Sequence, residues 1–241
     1  MGCYSIQLWS VQDCLEKDFE GTLKSLSEMG YTGVEFAGFY GKTAKEVKSI
    51  LDKYNLIATG SHNHIWELLD NYDETIAFHK EIGNKNFIVP IADLNEQQKI
   101  DDFVTKVQDL IPKLENDGFT LAYHNHSIEF DMGKDGTVPY EQLLYRTNLL
   151  MEVDVFWAYV ALNDPIVLLN RLGNRVNFIH IKDGAPTGEG KPLGQGFAPL
   201  KNCYNYAIQH NIPLVVESEG FTPNGLEEAK ICIDFLNSLE N

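Results

Sequence analysis

Polar side chains recur in this chain as pairs two residues apart, each pair closing a short apolar run. His62 and His64 follow "LIATGS", His124 and His126 follow "FTLAY", and Glu152 and Asp154 follow "NLLM". His180 and Lys182 follow "VNFI", and Glu217 and Glu219 follow "IPLVV". Gln7 and Trp9 hold the same place in "CYSIQLW", and Glu35 in "YTGVEF". Alternate residues of a strand face the same way, so each pair is expected to project from one face at a strand end. Packing has no use for such residues, because buried polar groups cost free energy unless partnered. His124, Asp154, His180 and Glu217 offer two nitrogen and two oxygen ligands from four successive runs. That mixture suits Mn, Fe, Co, Ni or Zn in an open site. Neighbouring strands about 4.8 Å apart bring such groups to one ion.

The elements that must carry these residues are visible as period. Eight apolar runs recur at intervals of roughly thirty residues, the size of a βα unit: "CYSIQLW", "YTGVEF", "LIATGSH", "NFIVP", "FTLAYH", "NLLMEVD", "VNFIHIK" and "IPLVVES". Amphipathic stretches lie between them. "FEGTLKSLSEMG" sets Phe19, Leu23 and Leu26 on one stripe and stops at Gly30. In the longest, "NEQQKIDDFVTKVQDLIPKLENDG", Pro112 is expected to kink or divide the helix. Eight repeats in 241 residues predict an α/β fold, a single-domain (β/α)8 TIM barrel over residues 1–241. A doubly wound open sheet is the alternative, although it more often has fewer strands. Active sites of such barrels sit at the C-terminal strand ends, where the polar pairs collect.

Composition mainly excludes. A formal net charge of −16 argues against nucleic acid or an anionic membrane surface as partner, since both need a basic patch. No apolar run approaches a membrane span. "MGCYSIQLWS" lacks the basic and apolar regions of a signal peptide, and Ile6 breaks the myristoylation pattern. A cytoplasmic protein is expected. Cys3, Cys14, Cys203 and Cys232 contain no CxxC and are expected to be free thiols, largely buried. "GEGKPLGQG" is not a phosphate-binding loop, and its Gly194 and Gly196 read as a turn before the next helix. His79 and His210 lie on helical patterns and read as surface, as does His64 in its loop. Asp183, next to Lys182, is expected to point towards the helices.

"YHNHSIEF", "MEVDVFWAYVALNDP", "RVNFIHIKDG", "PLGQGFAPLK" and "LVVESEG" resemble the xylose isomerase-like barrel superfamily, in its sugar phosphate isomerase/epimerase group. The resemblance runs nearly end to end. It implies a metal held by Glu, Asp, His and Glu from strands 5 to 8. Asp154, His180 and Glu217 match, whereas His124 stands where the family has its first glutamate and His126 matches the downstream histidine. Trp157 replaces the usual histidine of an Asp-x-x-His element. A related subgroup carries both departures.

Related ketose epimerases flank the substrate with two metal-bound glutamates. With His124 in place of one, a single carboxylate base remains, Glu217, and two-base 3-epimerisation is disfavoured. Proton transfer on one face, or elimination β to a ketone, fits better, with His126 or Lys182 as acid. Fewer carboxylates favour Zn, Mn or Co over Mg. Subgroup relatives imply a keto sugar, a 3-keto glycoside or a keto-inositol as substrate. Trp9, Glu35, His62 and Trp157 are the expected substrate contacts, and Trp66 is read as lid or subunit packing. Relatives are often dimers or tetramers, which implies a homo-oligomer. The expected activity is that of a metal-dependent isomerase, epimerase or lyase. Two other functions compete: a non-catalytic sugar-binding barrel that kept the pocket, and a phosphodiesterase like the apurinic endonucleases. The net charge speaks against the latter.

Overall fold

The computed structural model describes residues 3–133 and 136–240. Eight of its strands are parallel and close on themselves: β1 (Tyr4–Gln7), β2 (Gly33–Phe36), β3 (Ile57–His62), β4 (Asn86–Val89), β5 (Thr120–His124), β6 (Leu150–Asp154), β7 (Val176–Ile181) and β10 (Leu214–Val216). Between β7 and β10 lies a two-stranded antiparallel hairpin, β8 (Asp183–Gly184) and β9 (Gly190–Lys191). Around the barrel run α1 (Gln12–Leu15), α2 (Phe19–Met29), α3 (Ala44–Tyr54), α4 (Ile65–Asp70), α5 (Tyr72–Ile82), α6 (Gln97–Asp117), α7 (Pro139–Arg146), α8 (Val155–Val160), α9 (Pro165–Leu172), α10 (Leu200–His210) and α11 (Gly225–Leu239). The expected (β/α)8 barrel is the fold.

Local chemistry sets the helix limits. Asp18 caps α2 by accepting from the Gly21 amide at 2.9 Å, and Gly30 ends it at φ 108°, a conformation that costs glycine little. Thr43 and Glu46 form a reciprocal capping box on α3. Of the kink or division expected at Pro112, the division does not occur: α6 runs unbroken through it. Interior proline costs about 3 kcal/mol. Against this, α6 buries seven apolar side chains, Leu110, Ile111 and Leu114 beside the proline among them, each worth roughly 1.5–3 kcal/mol.

Inside the barrel the alternation predicted from sequence becomes layers. The lower interior holds an apolar cluster of Ile88, Ala122, Phe178 and Val215. Ser5 and Thr59 meet there through their hydroxyls at 2.7 Å, and the space at Gly33 admits them; a Cβ on it would stand 2.3 Å from Thr59 Oγ1. Two residues beyond Ala122, Phe178 and Val215 stand His124, His180 and Glu217, and the interior turns polar.

Three expectations about packing are corrected. His79 is buried, at 1% exposure, edge-on to Phe87 with Nδ1 accepting from Asn84 at 3.0 Å. One helix face, not residue type, decides its place. Only Cys203 and Cys232 are buried; Cys14 is half-buried and Cys3 exposed, since the latter precedes β1. Trp9 is not on a strand, because the chain turns into a 3-10 helix at Leu8 and leaves its indole 45% exposed. His64 and His210 are exposed as expected.

Candidate metal centre and active site

Register places the polar layer. His124 pairs with Glu152, Asp154 with His180, His180 with Val215, and Gln7 with Glu35 across adjacent strands. Beside both glutamates the neighbouring strand carries one extra residue, Asn177 of β7 opposite Met151/Glu152 and Thr59 of β3 opposite Val34/Glu35. Glu152 and Glu35 are wholly buried there. Glu152 Oε2 lies 2.8 Å from His62 Nε2, 3.0 Å from His124 Nδ1 and 3.1 Å from His180 Nε2. Glu35 reaches His180 Nε2 at 3.1 Å and His62 Nε2 at 3.1 Å.

Above this layer His180 Nδ1 faces Glu217 Oε2 at 3.1 Å. Among the described residues, His124, Asp154, His180 and Glu217 form a group of buried donors whose ligand atoms lie within 4.8 Å of one another, and His62, His124, Glu152 and His180 form a second. The first set fits a divalent ion. Asp154 spends Oδ1 on the Trp157 amide at the start of α8, at 2.8 Å, while its Oδ2 is buried with no hydrogen-bond partner. Burial, chiefly, raises the Asp154 carboxyl to about 8, with Lys182 opposing and Glu217 adding to the rise. A cation between these donors would relieve both the orphaned oxygen and the crowded charge.

Lys182 is the fixed cation of the mouth. It is 1% exposed, lies 3.5 Å from Glu217 Oε2, bonds Glu219, and sits 4.9 Å over the Trp157 ring. Burial alone would lower its pKa, but Glu217, Asp154 and Glu219 outweigh that and raise it. Burial likewise works against ionised Glu217, yet Lys182 and His180 hold it well below the usual carboxylate range. His126 stands at the mouth, its ring edge on His124 at 4.9 Å and 5.9 Å from Trp157. Burial, with His124 adding to it, pushes His126 down to about 3 and keeps it neutral. For His62 burial is overcome by Glu35 and Glu152, which push it up to about 9.

The expected ligands His124, Asp154, His180 and Glu217 thus converge, with Lys182, His126 and Trp157 around them. Glu35 lies beneath, bonded to two imidazoles, and His62 joins that inner layer. Trp9, in the 3-10 helix after β1, and Trp66, on α4, are exposed. A groove of about 1330 Å³ is not lined by any of the four donors. Trp66 on α4, Phe103 on α6, and Ile91, Ile128 and Met132 after β4 and β5 line it together with charged residues. Asp93, Glu96, Asp102 and Lys106 of its lining are exposed, whereas the four donors are buried and converge, which makes the donor cluster the candidate for chemistry.

Sequence reasoning gave no role to four buried residues that build the site. Glu152 was visible only as Asp154's neighbour at i−2. Asn125, between the histidines, bonds the Asp154 backbone in both directions at 3.2 Å. Asp183 accepts from the amides of Gly184, Gly194, Gly196 and Ala198, at 2.8–3.1 Å, and so ties down the loop after Lys182. Glu228 on α11 takes the Ser218 hydroxyl at 2.8 Å and the Gly220 amide at 3.1 Å, which fixes the turn carrying Glu217 and Glu219.

A family model described as xylose isomerase-like TIM barrel matches residues 23–239. The chain belongs to that family. Among characterised relatives of this xylose isomerase-like barrel is an inosose dehydratase from Lacticaseibacillus casei, 23% identical over 194 residues. Another inosose dehydratase, from Clostridium beijerinckii, is 24% identical over 194 residues. Each alignment covers 70% of this chain, which spans 64% of the relative's length. Among solved structures, a sugar phosphate isomerase/epimerase from Parabacteroides distasonis superposes with TM-score 0.85 at 21% identity, covering 96% of both chains. The probable 3-DHS dehydratase of Bacillus anthracis superposes with TM-score 0.76 at 13% identity, covering 98% of this chain and 99% of its own. At these identities the structural likeness establishes the barrel and nothing finer. No described helix is long and apolar enough to cross a membrane.

Proposed function

We propose that this xylose isomerase-like barrel is a divalent-metal-dependent enzyme of keto sugars, 3-keto glycosides or keto-polyols, which removes a proton beside the ketone. Loss of the oxygen substituent β to that ketone is the outcome its residues suit best. The reading is carried by one observation: His124, Asp154, His180 and Glu217, buried, bring one donor atom each within 4.8 Å of one another at the C-terminal strand ends. A divalent ion held there, Zn, Mn or Co by its mixed donors, supplies Lewis-acid polarisation of the ketone and a neighbouring hydroxyl.

The protein's own groups supply the rest. Glu217, whose Oε2 lies 3.5 Å from Lys182, serves as base towards the carbon-bound hydrogen. His124 occupies the place where a second metal-bound carboxylate would stand, so no base faces Glu217 across the substrate. A single carboxylate suits a same-face elimination: Glu217 takes the proton, the carbon–oxygen bond β to the ketone breaks, and Glu217 returns the proton to the departing oxygen as water or an alcohol. Lys182 offsets the negative charge that develops on substrate oxygen. The His126 imidazole, one-third exposed, offers a hydrogen bond to a substrate hydroxyl. The inosose dehydratases among its relatives, which are dehydratases by name, support the choice of elimination over epimerisation.

The test is metal analysis of protein purified without chelator, followed by incubation with a keto-inositol in deuterated water. The expected result is a stoichiometric divalent ion, with dehydration or deuterium incorporation next to the ketone that disappears in Glu217→Gln. Absence of metal, with no effect of His180→Ala on any turnover, would leave only a sugar-binding barrel.

A further inference from the structure

Three imidazole nitrogens converge on one buried carboxylate oxygen beneath the donor set, and that arrangement decides more than packing. A carboxylate only accepts hydrogen bonds, and a neutral imidazole has one N–H and one lone pair. His124 Nδ1, 3.0 Å from Glu152 Oε2, must therefore carry its proton, which leaves Nε2 as the free lone pair. His180 Nε2 lies 3.1 Å from Glu152 Oε2 and 3.1 Å from Glu35 Oε1, so its proton is inward too. The lone pair of His180 is then Nδ1, which points at Glu217 Oε2 from 3.1 Å. Two acceptors do not face each other bare at that distance: either a second proton sits on His180 Nδ1 and bonds Glu217, or a metal ion takes that proton's place.

We infer that Glu152, supported by Glu35, is the positioning residue of the metal centre: it sets the tautomers of His124 and His180 and so presents His124 Nε2 and His180 Nδ1 to the ion. The inference rests on the metal reading above. His62 completes the arrangement, donating Nε2–H between the two glutamates at 2.8 Å and 3.1 Å. The inner group His62, His124, Glu152 and His180 is therefore a support and not a second ion site. It is sealed below by the apolar cluster of Ile88, Ala122, Phe178 and Val215, with no open position for substrate. Partners of this kind orient metal-bound histidines and raise their basicity, and their loss typically weakens metal affinity about 10–100-fold.

Two measurements test this. Nitrogen-15 spectra of the histidine rings in zinc-loaded wild-type protein read the tautomers directly, with no variant needed. The expected result is a proton on His124 Nδ1 and on His180 Nε2; the reverse assignment for either overturns the inference. Chelator competition and the cobalt absorption spectrum are then compared for wild type, Glu152→Gln and Glu35→Gln. Glu152→Gln is expected to lose about 10–100-fold in affinity at unchanged stoichiometry, with an altered cobalt spectrum, and Glu35→Gln to lose less. Unchanged affinity and spectrum in Glu152→Gln overturn the positioning role. So does a stoichiometry that falls from two ions to one, which would make Glu152 a ligand. Wild-type protein that binds no metal at all sinks the underlying metal reading, and is scored before any variant.

Discussion

Asn125 and Asp154 are joined by two hydrogen bonds, side-chain Nδ2 to carbonyl and backbone N–H to Oδ1, both 3.2 Å. The residue between the two histidines of strand β5 therefore mimics a strand and extends the pairing of β5 with β6 beyond its last ladder bond. Asn125→Ala leaves a buried N–H and a buried C=O unpaired, at about 1–3 kcal/mol each. For a chain of this size that is a fall in Tm of roughly 5–15 °C, with weaker metal binding because Asp154 is no longer held. Thermal melts with and without zinc check both halves; an unchanged Tm removes the clamp from the account.

Glu217 and Lys182 divide the proposed chemistry between proton transfer and charge. Glu217→Gln is expected to slow solvent deuterium incorporation by about 10²–10⁴-fold, the usual scale of a positioned base. Lys182→Met should lower kcat by about 10²–10³-fold by removing the one buried cation described at the mouth. Rates of exchange and turnover measured on metal-saturated protein separate them from loss of the ion. Exchange that survives Glu217→Gln intact assigns the base elsewhere.

Asp183 gathers four amides from the segment that follows Lys182. Asn at this position keeps one accepting oxygen and turns an NH2 group towards donors. Hydrogen bonds to a charged acceptor are worth about 1.5–3 kcal/mol, so Asp183→Asn should cost roughly 3 kcal/mol and loosen residues 185–197. Limited proteolysis reads the loosening and urea unfolding the cost. Gly196→Ala should act alike, since its Cβ would stand 2.3 Å from the Asp183 oxygen.

His79 makes stability depend on acid. Burial pushes its pKa down to about 3 from an ordinary 6.5. Below 6.5 the unfolded chain takes up a proton that the folded one refuses, so the contribution is complete above 6.5 and shrinks as pH falls towards 3. The slope is at most about 1.4 kcal/mol per pH unit. His79→Leu keeps the ring's apolar contacts in part, and Asn84 Nδ2 retains the Asn86 carbonyl at 3.0 Å. The variant is expected to lose less stability than wild type between pH 6.5 and 4. Parallel denaturant titrations across that range check it; equal slopes would mean His79 is protonated in the folded state.

Much of this was legible in the chain itself, for physical reasons. Alternation along strands fixes which side chains share a face, so His124, Asp154, His180 and Glu217 could be grouped before any coordinates. Periodicity does not say how deep a residue sits. Glu35 and Glu152 look like mouth residues in sequence, yet both are wholly buried and bonded to imidazoles of other strands, one layer below the donor set. Likewise a histidine on a helix carries no mark of the face it will occupy, which is why His79 misleads. Residues that bond backbone, such as Asn125, Asp183 and Glu228, have partners set by loop paths that no spacing rule encodes.

The apolar cluster of Ile88, Ala122, Phe178 and Val215 has a kinetic meaning beyond packing. It stoppers the lower end, so the barrel is a blind well and not a tunnel. Whatever reaches Glu217 arrives and departs through one doorway, and a spent molecule must vacate before a fresh one enters. Released product should therefore compete head-on with substrate for the same opening, and adding it should raise the apparent KM while leaving kcat alone.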